Sequence, residues 1–116
     1  MNLECLSNSE KGIIAQNPNT PPETLERLAG DLDWFVRRNV AKNSNTSPAT
    51  LDRLADECPY AVKTNPNTQP ETLARLADDN NRGVRCYVAR NPNTPPYIRE
   101  YLDAVRFMEL YLINVK

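Results

Sequence analysis

Histidine is absent from the 116 residues, which removes imidazole bases, histidine metal ligands and every histidine-containing triad. Glycine is nearly as scarce: Gly12, Gly30 and Gly83 lie too far apart to build a phosphate-cradling loop. Neither sign of charge is in excess, since 14 Lys and Arg face 15 Asp and Glu for a net −1. Bulk charge therefore argues for neither a nucleic-acid nor a membrane partner. The N-terminal residues lack the basic start and apolar run of a signal peptide or membrane anchor. Cys5, Cys58 and Cys86 contain no close pair and are odd in number, which fits reduced thiols better than a disulfide frame or a metal site. The expectation is one non-enzymatic, cytoplasmic domain over residues 1–116, with no cofactor, no metal and no membrane contact.

What the chain has instead is repetition. Asn17-Pro18-Asn19-Thr20 recurs as Asn43-Ser44-Asn45-Thr46, Asn65-Pro66-Asn67-Thr68 and Asn91-Pro92-Asn93-Thr94. Starts 26, 22 and 26 residues apart imply a stacked solenoid rather than an arbitrary globule. Each copy reads as two short helices, A and B. Thr20, Thr46, Thr68 and Thr94 precede prolines, which predicts a threonine N-cap with Pro in the first turn of helix A. Glu23 and Glu71 would complete capping boxes in two copies. Leu25, Leu28 and Ala29, with their counterparts Leu51, Leu54, Ala55 and Leu73, Leu76, Ala77, form the i, i+3, i+4 stripe of a helix with one buried face.

Helix B is marked by Val36, Val40 and Ala41, and again by Val84, Val88 and Ala89. It must stop at each Asn that precedes Pro, because that position is pushed into extended geometry. The Asn side chains are expected to bond from one repeat to the next and so satisfy the corner's backbone groups. The second copy lacks four residues between its helices. Counting back from Asn65, Cys58 takes the buried Val position, Pro59 falls in the first turn and the inter-helix turn tightens. The expected division is a partial repeat 1–16, repeats 17–42, 43–64 and 65–90, and a C-terminal cap 91–116.

The run Asn17 to Ala29, followed by Val36-Arg37-Arg38-Asn39-Val40-Ala41, resembles the leucine-rich repeat variant family, whose repeats are similar to HEAT and armadillo units. The resemblance covers roughly residues 11–102. It implies an all-α, right-handed α-solenoid of about four short two-helix repeats, with a binding scaffold's role and no particular ligand. Departures are the shortened second copy and a fourth copy with Arg99 where Leu25 stands.

A solenoid's terminal unit must cover an apolar face that no neighbour buries. Ile98, Tyr101, Leu102, Val105, Met108 and Leu112 form a stripe at helical spacing, which predicts a long capping helix. Phe107, Leu110 and Tyr111 point off that stripe and are the candidate self-association residues of a homodimer, unless Leu3 and Leu6 fold over them.

Charge is segregated by helix. The candidate partner-binding residues Arg37, Arg38, Lys42, Tyr60, Lys63, Arg85, Tyr87 and Arg90 all lie on helices B, which carry no acid in these stretches, while helices A and their turns hold the balancing carboxylates. Stacking would align them into a positive strip with aromatic inserts, suited to another protein that is acidic or extended, or alternatively to the DNA or RNA backbone. Cations at the ends of these helices also favour the helix dipole with no partner at all. Arg27, Arg53 and Arg75 each precede an acid by four residues, the spacing of exposed intrahelical ion pairs. Trp34, beside Phe35 in the first inter-helix turn, is expected to be partly buried.

Overall fold

The computed structural model describes residues 2–115, excluding the side chains at positions 60, 63 and 113–115. A 3₁₀ turn (Leu3–Cys5) is followed by α1 (Asn8–Gln16), α2 (Pro22–Leu28), α3 (Trp34–Lys42), α4 (Pro48–Leu54), α5 (Pro59–Thr64), α6 (Pro70–Leu76), α7 (Arg82–Arg90) and α8 (Pro96–Val115), with no strand among the described residues. Helices α1, α3, α5 and α7 are the B elements and stack directly on one another. Each of α2, α4 and α6 is wedged between two successive B helices, and α8 packs on α7. The chain is thus an all-helical solenoid. Its extents of 58 × 26 × 17 Å and radius of gyration of 16.4 Å exceed the ~13 Å expected of a compact domain of this length.

Every helix A opens on a proline, at Pro22, Pro48, Pro70 and Pro96, where the missing N–H has no helical partner to lose. This corrects the expected cap. The N-caps are Pro21, Ser47 and Gln69, one position after the threonines, and only Ser47 caps with its side chain. The boxes expected at Glu23 and Glu71 therefore do not form, and the complete capping box belongs to Ser7 and Glu10 at the start of α1. The threonine hydroxyls reach backward instead. Thr20, Thr46, Thr68 and Thr94 donate to the carbonyls of Ile14, Val40, Val62 and Val88, filling acceptors in the last turn of the preceding helix B.

Helices B end at Asn17, Asn43, Asn65 and Asn91, all extended, as the X-Pro restriction requires for three of them. The expected ladder is present and double. Asn43 Nδ2 donates to the carbonyls of Ala15 (2.7 Å) and Asn17 (2.9 Å), and Asn65 Nδ2 to those of Ala41 (2.8 Å) and Asn43 (2.9 Å). Asn91 continues the series to Asn65 at 3.5 Å. A second row runs from Asn45 to the carbonyls of Pro18 and Thr20, from Asn67 to those of Ser44 and Thr46, and from Asn93 to those of Pro66 and Thr68. Arg99 extends the first row, since its guanidinium donates to the Asn91 carbonyl (2.8 Å) that a following Asn would otherwise take.

Leu25, Leu51 and Leu73 are fully buried at one register of helix A, and Val40, Val62 and Val88 at one register of helix B, with Val36, Cys58 and Val84 buried a turn earlier in the same core. In the shortened second repeat the amides of Glu57 and Cys58 both donate to the Leu54 carbonyl, which tightens the turn; Cys58 is buried and caps α5 immediately before Pro59. Burial pushes the Cys58 thiol up. Helix α8 follows its sequence pattern only in part. Ile98 and Leu102 are buried, but Tyr101, Met108 and Leu112 are exposed, because the helix runs on past the stack that would cover them. Among the described residues, no helix is long and apolar enough to cross a membrane.

Candidate partner-binding face

Position along helix B decides what each cation does. Lys11, Arg37 and Arg85 share one register, six residues before the closing Asn, and all three are engaged at the inter-helix turns. Lys11 Nζ binds Asp31 Oδ2 at 2.8 Å. Arg37 donates to the Asp31 carbonyl at 2.7 Å and pairs through Nε with Glu57 of the next repeat at 2.8 Å. Arg85 repeats the arrangement with the Asp79 and Asn80 carbonyls and with Glu109 of α8. Their side chains are only 20% and 15% exposed, respectively. Each arginine ties its own turn to a carboxylate of the following unit. Burial works to raise the pKa of Asp31, but hydrogen bonds from Lys11 and the Asp33 amide outweigh it and hold the carboxyl below its ordinary range.

Arg38, Lys42, Tyr87 and Arg90 lie outside this ionic column. Arg38 sits over the Trp34 ring (5.7 Å to its centroid) and Arg90 over the Tyr87 ring (5.4 Å), a geometry that holds the guanidinium without neutralising it. Lys42 and Arg90 are exposed at the same register, at the C-terminal ends of α3 and α7. Tyr60 and Lys63 are on α5, between α3 and α7, with side chains outside the described residues. Trp34 is 54% exposed rather than folded down. The place beneath it is taken by Phe35, whose ring presses on Gly12 of α1 so closely that a Cβ there would lie 2.8 Å from it.

Arg53 and Arg75 of helices A also reach across repeats rather than along their own helix. Arg53 meets Glu26 at 4.0 Å, and Arg75 binds Asp52 (2.9 Å) and Asp56 (3.5 Å). Spacing of i, i+4 alone suggested intrahelical pairs, but each helix A ends within one or two residues of its arginine, so the acid four positions on is already in the turn. The Thr72 hydroxyl and the Arg75 guanidinium hold Asp52 below the usual carboxylate range.

Phe107, Leu110 and Tyr111 are all exposed on the last turns of α8, and neither Leu3 nor Leu6 covers them: Leu3 is buried in the core and Leu6 packs against it. Among the described residues, no cluster of Cys, Asp and Glu could hold a metal ion.

A linear stack of helical hairpins, ionically stapled at one edge and Asn-laddered at the corner, defines a helical-repeat module. Two family models agree with that class: the leucine rich repeat variant domain matches residues 59–106, and the leucine rich repeat variant matches residues 12–33. The chain belongs to the leucine-rich repeat variant family, whose repeat domains are non-catalytic helical modules that generally act as protein-interaction scaffolds. No curated protein and no solved structure matches it.

Proposed function

We propose that this chain is a non-enzymatic protein-interaction module that presents the open side of its helices B to an acidic or extended protein segment. The observation that carries the reading is that Arg38 and Arg90 are poised on aromatic rings, with Lys42 exposed at the register of Arg90, while Arg37 and Arg85 are consumed by the fold. Cationic groups pre-placed on aromatic faces lose little freedom on meeting a carboxylate, and Arg with Tyr or Trp is the composition of interface anchors. Tyr60 and Lys63 lie on α5, which stacks between α3 and α7.

Loss of Arg37 and Arg85 from the free set leaves fewer cations for a phosphate backbone than the sequence alone offers, which weighs against the nucleic-acid alternative. Fluorescence anisotropy distinguishes the two, with a labelled Glu-rich peptide, a single-stranded DNA, an RNA strand and a DNA duplex titrated at low and moderate salt. The protein reading expects the Glu-rich peptide to bind and the double variant Arg38→Glu, Lys42→Glu to weaken it. Nucleic acid bound below about 100 μM at low salt, with steep loss on adding salt and no comparable peptide binding, would replace this reading with the alternative.

A further inference from the structure

The repeat pattern leaves one helix position empty. Helices α2, α4 and α6 each lie between two B helices, whereas α8, which starts at the same punctuation, packs on α7 with no further B helix on its other side among the described residues. Where the chain would turn back to form the next B helix, α8 runs straight on. The space left over is a groove of about 440 Å³ between α7 and α8, with Cys86, Ala89, Leu102 and Leu110 among its apolar lining.

We infer that this groove binds a short acidic amphipathic helix from a partner protein, seated as the missing B helix would be. The proposal rests on the interaction-module reading above and gives it a second, chemically defined contact. Register supplies the argument for a helix. Gly83, Cys86 and Ala89 of α7 occupy the positions that Ser9, Gly12 and Ala15 occupy on α1, counted back from Asn91 and Asn17. On α1 that surface is covered by α3, with the Phe35 ring against Gly12 and Ala15 fully buried. On α7 it lies open, with Cys86 exposed.

Charge supplies the argument for acidity. Four guanidinium groups line the groove (Arg82, Arg85, Arg90, Arg106) against two carboxylates, Asp103 and Glu109. Glu109 is already shared by Arg82 and Arg85. Among the described residues, Arg90 and Arg106 form no ion pair, and one faces the groove from each wall. An occupant with aromatic or aliphatic side chains at i and i+4 would fill the floor, and its flanking Asp or Glu would meet Arg90 and Arg106.

The test uses the full chain and a labelled helical peptide of about 18 residues, with Phe and Leu on one face and Glu on the other, against a twin in which Lys replaces every Glu. Anisotropy should show saturable binding of the Glu peptide, at least about tenfold tighter than its Lys twin. Arg106→Glu should weaken it about tenfold, and Cys86→Trp, which fills the groove from an exposed position, should abolish it; circular dichroism verifies that both variants fold. Bound peptide should also slow thiol labelling of Cys86 in a Cys5→Ser background. Arg38→Glu with Lys42→Glu should leave this binding intact, so failure here and failure of the helix B face are separable. Binding indifferent to Cys86→Trp would overturn the proposal. So would a concentration-dependent dimer in sedimentation that Cys86→Trp dissolves, because the occupant would then be the α8 of a second copy.

Discussion

Replacing Asn65 by Ala tests how far one repeat depends on its neighbour. The side chain is 3% exposed; its Nδ2 donates to the carbonyls of Ala41 and Asn43, and its Oδ1 accepts from the Asn67 amide at 2.9 Å. Asn43 keeps a second donor for its carbonyl, the Thr46 amide at 3.1 Å. The Ala41 carbonyl loses the side-chain donor that reaches it from the next repeat. Three hydrogen bonds at about 1 kcal/mol each, with the added cost of a buried acceptor left unpaired, give about 3–4 kcal/mol. Asn17 is the internal control. It occupies the same register and accepts from the Asn19 amide, but it is exposed, and among the described residues its Nδ2 reaches no carbonyl of another corner. Asn17→Ala should cost about 1 kcal/mol or less. Urea denaturation followed by circular dichroism at the helical band measures both, with unchanged m-values required for the comparison. The difference corresponds to a melting temperature lower by about 10 °C for Asn65→Ala. Equal losses for the two variants, within about 0.5 kcal/mol, would refute the claim that the ladder couples adjacent repeats.

Three further outcomes follow from the geometry. Arg37→Ala and Arg85→Ala should each destabilise the fold by about 1–3 kcal/mol, since each removes a charged donor to turn carbonyls, whereas Arg38→Ala and Lys42→Ala should stay within about 0.5 kcal/mol; the same urea titrations check both pairs. Gly12→Ala places a methyl group 2.8 Å from the Phe35 ring, but that ring is 44% exposed and can swing outward, so the net change should stay within about 1 kcal/mol of zero once the better helix propensity of Ala is counted, and Phe35→Leu in the same chain should shift it toward stabilisation. Asp31 and Asp52 have folded-state pKa values below their ordinary ones. They therefore stabilise the fold above the unfolded value of about 3.9 and lose that contribution as pH falls below it, through their folded values. Stability measured by urea should be level from neutral pH down to about 5 and drop below about 4, with a shallower drop in Asp31→Asn.

Much of the fold was legible because punctuation recurs. Proline after Asn, and proline at the start of each helix A, are backbone constraints that act without knowledge of neighbours, and they placed the helix ends and the ladder. Cys58 was found in the same way, by counting back from Asn65. What the sequence misplaced were the partners of the arginine and threonine side chains. Arg75 has an acid four residues on, yet the partners that reach it are Asp52 and Asp56, about twenty residues earlier in the chain. Thr20 looks like an N-cap because local motifs point forward, but the carbonyl in need of a donor lies behind it at Ile14.

The candidate face shows the same limit. Linear charge segregation groups Arg37 with Arg38, and only three dimensions separate the residue that staples turns from the one resting on Trp34. A signal for this was present: Lys11, Arg37 and Arg85 share a register, each within reach of an acidic turn. Trp34 escaped because one Gly beneath Phe35 lets its neighbour, rather than the indole, fill the space against α1.

Small-angle X-ray scattering at low protein concentration tests the stacked architecture most directly. A linear pile of helical hairpins predicts a radius of gyration close to the 16.4 Å of the Cα trace and a maximum dimension near 58 Å. A radius of about 13 Å, the value for a compact domain of this length, would contradict it.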